Sequence, residues 1–278
     1  MSTIVLRTVL IALVLSASTP AQPAVFLQVS PASVAPNPSI VAETWQQQEK
    51  ADQQRITAHP ADCDTRFHLA EQQLQHHQPS AAEAQLRTML THCPDDASIH
   101  SALGVALEAQ NRSDAALDEF RRALTLDSAD FTALYNLGVL ASQSGDSQTA
   151  VDRLRAASAL RPTDIDARVQ LAGAYAQSEQ FDAATEQLLA AIKIDPQDAN
   201  LHTLLSQVLA SNGHLSMAID QQREALHLAP NDPDGWNNLG VMQAREGDTV
   251  EARSDFLHAL RLAPHHSQAE ANLKQLPH

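Results

Sequence analysis

The stretch WNNLGVMQAREGD at residues 236–248 has a counterpart, YNLGVLASQSGD, at residues 135–146. Both contain Asn-Leu-Gly-Val and both end in Gly-Asp, and the two stretches are offset by 102 residues. A match over such a distance indicates that the chain contains an internal repeat.

The repeat has a period of 34 residues and begins at Cys63. It divides the chain, without insertions, into six units, 63–96, 97–130, 131–164, 165–198, 199–232 and 233–266. One position is leucine in every unit: Leu69, Leu103, Leu137, Leu171, Leu205 and Leu239. The next position is always small: Ala70, Gly104, Gly138, Ala172, Ser206 and Gly240. A later position is always alanine, and five of the six units carry a proline near their end, with Ser128 as the exception.

Each unit is predicted to be a helix–turn–helix hairpin. In the last unit Trp236, Leu239, Gly240 and Gln243 fall at i, i+3, i+4 and i+7, which places them on one face of a helix. Gly145, Gly213 and Gly247 stand between the two halves of their units, where a turn is expected; the closing prolines end the second helix. A hairpin of this kind buries its apolar faces by stacking on its neighbours.

These features resemble the tetratricopeptide repeat (TPR) family. The period, the Leu-Gly pair, the alanine column and the closing proline carry the resemblance over residues 63–266. It implies an all-α fold, a right-handed α-solenoid of six tandem helix–turn–helix units with short capping helices. The chain departs from the family pattern at Gln222, where a large apolar residue is usual, at Ser128, and at Trp236.

The flanks of the repeats have other predicted roles. Residues 1–18 have the basic, apolar and small-residue order of a signal peptide. Residues 19–62 are predicted to be a flexible linker. The two alternatives are a continuous linker and a linker that contains a capping helix at 43–58. Residues 267–278 are expected to form a C-terminal capping helix. The expected location is the periplasm or the extracellular space, without a stable membrane span after signal removal; the alternative is a chain anchored by an uncleaved N-terminal segment.

The composition excludes several classes of function. The chain carries a formal net charge of −15, and an acidic surface argues against nucleic-acid binding, which needs clustered Lys and Arg. Its 13 histidines show no metal-ligand spacing, and those at 76–77 and 265–266 are expected to be solvated turn residues, so no metal site is predicted. No nucleophile or phosphate-binding motif is present, and the repeats leave no segment for a catalytic domain. We therefore expect neither an enzyme, nor a cofactor, nor a small-molecule substrate.

Two cysteines, Cys63 and Cys93, stand at the start of the first helix and the end of the second helix of the first unit. These points lie at the same end of an antiparallel hairpin. An exported protein with cysteines so placed is a candidate for a disulfide. The alternative is a pair of unrelated buried thiols.

The resemblance further implies that the first helices line a concave groove that binds a peptide. Arg245 is the one basic residue at the relevant positions, so a carboxylate-binding groove is not expected, and the amides of Asn136, Gln170 and Asn238 favour binding of peptide backbone. An alternative is that these side chains contact the adjacent repeat. The candidate groove residues are Phe67, Glu71, Val105, Tyr135, Asn136, Val139, Val169, Gln170, Gln207, Asn237, Asn238, Val241 and Arg245.

The sequence therefore predicts a non-catalytic scaffold that binds an extended or helical segment of a partner protein. The alternative function is a structural or self-associating subunit of a cell-envelope assembly, of the pilus or outer-membrane biogenesis type. A stable oligomer in sedimentation experiments would favour this alternative, and a monomer would favour the groove.

Overall fold

The computed structural model describes residues 38–93 and 95–277, and within them every regular element is an α-helix. The prediction of an all-α solenoid of helical hairpins is confirmed. The fourteen helices of the described chain are α1 (Pro38–Ala58), α2 (Cys63–Gln75), α3 (Pro79–His92), α4 (Ala97–Glu108), α5 (Ser113–Leu126), α6 (Phe131–Gln143), α7 (Ser147–Leu160), α8 (Ile165–Gln177), α9 (Phe181–Ile194), α10 (Ala199–Ser211), α11 (Leu215–Leu228), α12 (Pro233–Glu246), α13 (Thr249–Leu262) and α14 (Ser267–Gln275).

An aspartate directly precedes the first helix of each repeat. In each case the aspartate side chain accepts a hydrogen bond from a backbone N–H of the first turn, which helix ends otherwise leave without a partner. These N-terminal caps are Asp62, Asp96, Asp130, Asp164, Asp198 and Asp232. At the start of α14 the same role falls to His266, whose Nδ1 accepts from the backbone N–H of Ala269.

The turn inside each hairpin contains one residue with a positive φ. Three of these residues are the predicted turn glycines, and the other three are His77, Asn111 and Glu179, all with φ near +58° (57°, 59° and 57°). The left-handed region costs a residue with a Cβ about 1–2 kcal/mol, and asparagine tolerates it better than glutamate. Glycine is therefore dispensable at this turn, although the other residues adopt the conformation at a cost.

We expect Glu179→Gly to raise the free energy of unfolding by about 0.5–1 kcal/mol, because relief of the left-handed backbone exceeds the added entropy of the unfolded chain. Glu179 is exposed, so little packing is lost. Thermal unfolding followed by circular dichroism measures the effect. Asn111→Gly is the matched control and should change stability less, since asparagine already tolerates this conformation. A loss of stability in Glu179→Gly would contradict the prediction.

The helices form two compact units, one ending at Ser144 and the other beginning at Gly145. In the first unit the core includes the fully buried Leu103 and Phe120, which belong to the two helices of one hairpin. In the second unit Phe256 has the equivalent position on α13. Small residues on the facing helix, such as Gly104 and Gly240, leave room for these two rings.

Helices α1 and α14 cover the terminal repeats. On α1, Trp45 and Ile56 form a buried cluster with Leu69 of α2, and the Trp45 ring stacks on His76 at a centroid distance of 4.2 Å. In the second unit, Leu276, just after α14, packs with Phe256 of α13.

Two predictions concern the N-terminal flank: the start of a capping helix, and a signal peptide followed by a linker. The N-terminal helix begins at Pro38 rather than at residue 43, because proline is compatible with the first turn of a helix. The predicted signal peptide, residues 1–18, and the first part of the predicted linker lie outside the described residues. Among the described residues, none of the helices has the combination of length and apolar composition that a membrane span requires.

Candidate functional site

In the first unit the candidate groove residues differ widely in how much surface they offer. Phe67 on α2 is half-buried and packs against the core, and Glu71, one turn further, is also half-buried. Burial raises the pKa of the Glu71 carboxyl, since it disfavours the charged form. Val105 on α4 is 8% exposed and belongs to the core cluster. Phe67 and Glu71 therefore remain accessible candidates, whereas Val105 mainly packs.

The candidates on α6 are partly engaged in their own helix. Tyr135 is 3% exposed and stacks on Phe131 at a centroid distance of 5.9 Å. The Asn136 side chain donates through Nδ2 to the carbonyl of Thr132, 2.8 Å away. Val139 is half-buried. The burial of Tyr135 favours the alternative that it is a packing residue.

In the second unit the surface of α8 and α10 contains open space and an unsatisfied acceptor. Val169 and Gln170 on α8 are half-buried. At Gly173, one turn after Val169, no atom beyond its own stretch of helix lies within 4 Å of the place where a Cβ would lie. Gln207 on α10, 34 residues later, has a buried Oε1 without a hydrogen-bond partner. Gly173 is absent from the predicted set, although it occupies the same column as Gln207 in the repeat.

Among the candidates on α12, one side chain is covered by a neighbouring helix and another is exposed. Asn237 is 2% exposed, and its Oδ1 accepts a hydrogen bond from Asn272 of α14 at 2.9 Å, so the C-terminal helix covers it. Arg245 donates through Nη2 to the carbonyl of Ala210 at 3.1 Å. Partial burial of this guanidinium lowers its pKa. The Asn237 oxygen is therefore satisfied by a neighbouring helix, whereas Arg245 is exposed and uses one of its N–H groups to contact Ala210.

The other two candidates on α12, Asn238 and Val241, are both half-buried. Val241 packs against the cluster formed by Ala252, Phe256 and Leu276. Asn238 therefore remains a partly accessible candidate of this helix, and Arg245 is its exposed one.

A disulfide joins Cys63 and Cys93, with Cα atoms 5.9 Å apart and a sequence separation of 30. Cys63 is the first residue of α2, and Cys93 directly follows α3. The bridge therefore closes the hairpin of the first repeat at its open end, next to the Asp62 cap.

Two histidines, His100 and His266, contact carboxylates of the fold. His100 is 2% exposed and lies between Glu119 at 2.6 Å and Asp95 at 2.7 Å. His266, expected to be a solvated turn residue, instead caps α14 and has a side chain only 9% exposed, 2.9 Å from Asp234. Over residues 38–93 and 95–277, no group of three or more His, Cys, Asp or Glu side chains is arranged to hold a metal ion.

The family models that match this chain are both described as tetratricopeptide repeat. One matches residues 68–131 and 203–267, and the other matches residues 141–208. Together they cover more than half of the chain. No curated protein sequence gives a significant match.

Several solved structures share the fold. The structure of YrrB, described as a TPR protein with an unusual peptide-binding site, has a TM-score of 0.61 and 23% identity, covering 68% of this chain and 97% of its own. PilF of Pseudomonas aeruginosa has a TM-score of 0.62 and 21% identity, covering 75% and 95%. The C-terminal part of a TPR repeat-containing protein from Cytophaga hutchinsonii has a TM-score of 0.66 and 14% identity, covering 84% and 96%.

At these identities the solved structures establish the fold, whereas the family models match the sequence itself. TPR proteins are generally interaction scaffolds rather than catalysts, and nothing in the described helices shows an enzymatic site. The chain belongs to the tetratricopeptide repeat family.

Proposed function

We propose that this protein is an exported interaction scaffold that binds an extended segment of a partner protein along its first helices. The observation that carries the proposal is the surface of α8 and α10. Gly173 provides open space beside the backbone, and Gln207 has an amide oxygen that lacks a donor. An unsatisfied buried acceptor costs about 1–3 kcal/mol, and a backbone N–H of a bound segment would supply the missing donor.

The neighbouring residues suit a peptide ligand. Val169 offers an apolar contact, and the amide of Gln170 can pair with either polar group of a peptide backbone. This combination favours binding that tolerates different partner sequences. The accessible Phe67, Glu71 and Val139 are proposed to extend the binding residues in the first unit.

Export is supported by the N-terminal sequence pattern and by the disulfide. Disulfides persist in oxidising compartments and are rare in the cytosol. We propose the periplasm or the extracellular space as the location of the protein on this basis. The Cys63–Cys93 bridge is the structural element that would depend on this location.

The binding proposal predicts that Gly173→Trp reduces partner capture by at least about tenfold, equivalent to about 1.4 kcal/mol. A Cβ at Gly173 would meet no atom within 4 Å, so we expect the substitution to leave the helical content unchanged. The measurement is affinity capture from a cell-envelope fraction, with circular dichroism to check folding.

The matched control is Ala159→Trp, which adds the same ring at an exposed position of the second helix α7. A partner retained by wild type and Ala159→Trp but lost from Gly173→Trp supports the proposal. Equal capture by the two tryptophan variants would rule out this surface as the binding site.

The alternative, a self-associating subunit of an envelope assembly, has one supporting observation. Leu160, Ile194 and Leu262 each end a second helix in the second unit and are 45%, 40% and 37% exposed. Contiguous exposed apolar patches are typical of interfaces, and we propose that these three side chains contribute to one. Sedimentation of the protein separates the two proposals, since a stable oligomer favours this one.

A further inference from the structure

A cleft of about 430 Å³ lies between α11, α12 and α13 of the second unit. Its volume falls within the range of about 300–1,000 Å³ that is usual for small-ligand sites. The lining includes Leu226 on α11, Trp236, Leu239 and Gln243 on α12, and Asp255 on α13. None of these residues belongs to the surface of α8 and α10 proposed to bind a partner segment.

Asp255 in this cleft is a buried acceptor without a partner. It is 8% exposed, and its Oδ2 is buried and makes no hydrogen bond. Burial raises the pKa of this carboxyl to about 6; Glu251 adds to the increase and Arg223 opposes it. Arg223 forms its ion pair with Asp220 instead, at 3.8 Å.

Other repeats show why Asp255 lacks a donor. In four of them, the second-helix side chain at the position equivalent to Asp255 has a hydrogen-bond partner. The partner is a side chain of the first helix, 19 residues earlier in the sequence. These pairs are Arg66–Gln85, His100–Glu119, Arg168–Gln187 and His202–Gln221, at 2.9, 2.6, 2.9 and 2.9 Å. In the last repeat the first-helix residue is Trp236, whose indole N–H donates to the carbonyl of Pro230 at 2.9 Å.

A second acceptor and an apolar wall accompany the carboxyl. Gln243 is 4% exposed, and its Oε1 is buried without a hydrogen-bond partner. Leu226 and Leu239 line the cleft, and the Trp236 ring, which stacks on His258 at 4.1 Å, provides an aromatic face. Aromatic faces attract cations, and the chain as a whole has a net charge of −15.

The geometry points to this cleft as a binding site for an organic cation with N–H donors, an ammonium or guanidinium group on an apolar stem. The donors of the cation satisfy Asp255 and Gln243, and its stem contacts the leucines and the indole. The site is separate from the proposed partner-binding surface and does not depend on it.

The test titrates the full-length protein with methylguanidinium at constant ionic strength, with tetramethylammonium as a cation of equal charge that has no N–H donor. NMR follows the Asp255 carboxyl carbon and the indole N–H of Trp236. We expect saturable shifts of both signals with methylguanidinium and none with tetramethylammonium. Trp45, whose indole appears in the same spectrum and lies on α1, should not shift. At saturation the pKa of Asp255 should fall by about one unit, because a nearby positive charge favours the carboxylate.

Four variants test the assignment. Asp255→Asn should weaken binding by at least about tenfold, since it removes the charged acceptor. Asp118→Asn removes the same charge from an exposed site on α5 and should leave binding unchanged. Arg223→Gln should strengthen binding, because it removes a competing positive charge from the cleft. Because the His227 ring also lines the cleft, the measurement of the Asp255 pKa is repeated in His227→Gln.

Equal shifts with the two cations, or binding that survives Asp255→Asn, would overturn the inference. A parallel titration with acetyl-Ala-Arg-Ala-amide identifies the source of the cation. Tighter binding of the peptide than of methylguanidinium assigns the site to a basic side chain of a protein, and weaker binding assigns it to a free small cation.

Discussion

Replacing Cys63 and Cys93 by serine is expected to lower the free energy of local unfolding of the first repeat by about 3 kcal/mol. The bridge spans a sequence separation of 30 residues, and closing a loop of that size removes entropy from the unfolded chain. The effect is large for this repeat because it lies near the end of the array and receives stacking support mainly from α1 and α4. Hydrogen exchange measures it, since a loss of 3 kcal/mol raises the exchange of protected amides in α2 and α3 by roughly 150-fold.

The other compact unit provides the internal control. Amides of α9 and α11 should keep their protection in the serine variant, because stability in such arrays depends on neighbouring repeats. Reduction of the wild-type protein should reproduce the variant, and a reductant should have no effect on the variant itself. Unchanged protection of α2 and α3 after reduction would show that the bridge adds little stability.

The sequence predicted the helical hairpins well because their determinants are local and recur. Leucine and small-residue columns at a fixed spacing are visible without coordinates, and so is the position of the turn. The aspartate caps recur at the same interval and were also detectable. Glu179 in the left-handed turn is different, because local sequence does not favour that conformation for glutamate.

The candidate site was less predictable because it depends on contacts between different helices. The sequence predicts that the Asn237 side chain is free to bind a peptide, but Asn272, 35 residues later, donates a hydrogen bond to its oxygen. Arg245 likewise reaches a carbonyl 35 residues before it, at Ala210. The orphan carboxyl of Asp255 could have been found by comparing positions 19 apart in each repeat, where the missing Arg or His in the last repeat is apparent.

The second prediction with a large expected effect on stability concerns the close contact between helices α4 and α5. A Cβ added at Gly104 would lie 2.5 Å from Cε1 of Phe120, which is fully buried and surrounded by core residues. We expect Gly104→Ala to lower the free energy of unfolding by about 1–3 kcal/mol, the usual cost of overpacking. The steric cost exceeds the gain of about 0.8–1 kcal/mol in helix propensity.

Gly173→Ala is the matched control, since nothing lies within 4 Å of its Cβ position. This substitution should raise stability by about 0.8–1 kcal/mol, because only the propensity gain applies. Chemical denaturation and thermal unfolding of both variants measure the difference. A stabilising Gly104→Ala, or equal effects at the two glycines, would contradict the assignment of Gly104 to a steric contact.

The chain itself indicates which second substitution should rescue Gly104→Ala. Where this first-helix position is alanine, as in Ala70 and Ala172, the opposite second-helix residue is a leucine, Leu86 or Leu188, and all four are buried. Where the opposite residue is phenylalanine, as in Phe120 and Phe256, the first-helix position is glycine. The double variant Gly104→Ala, Phe120→Leu should therefore be more stable than Gly104→Ala alone. Additive losses in the double-mutant cycle would show instead that the two positions are not coupled.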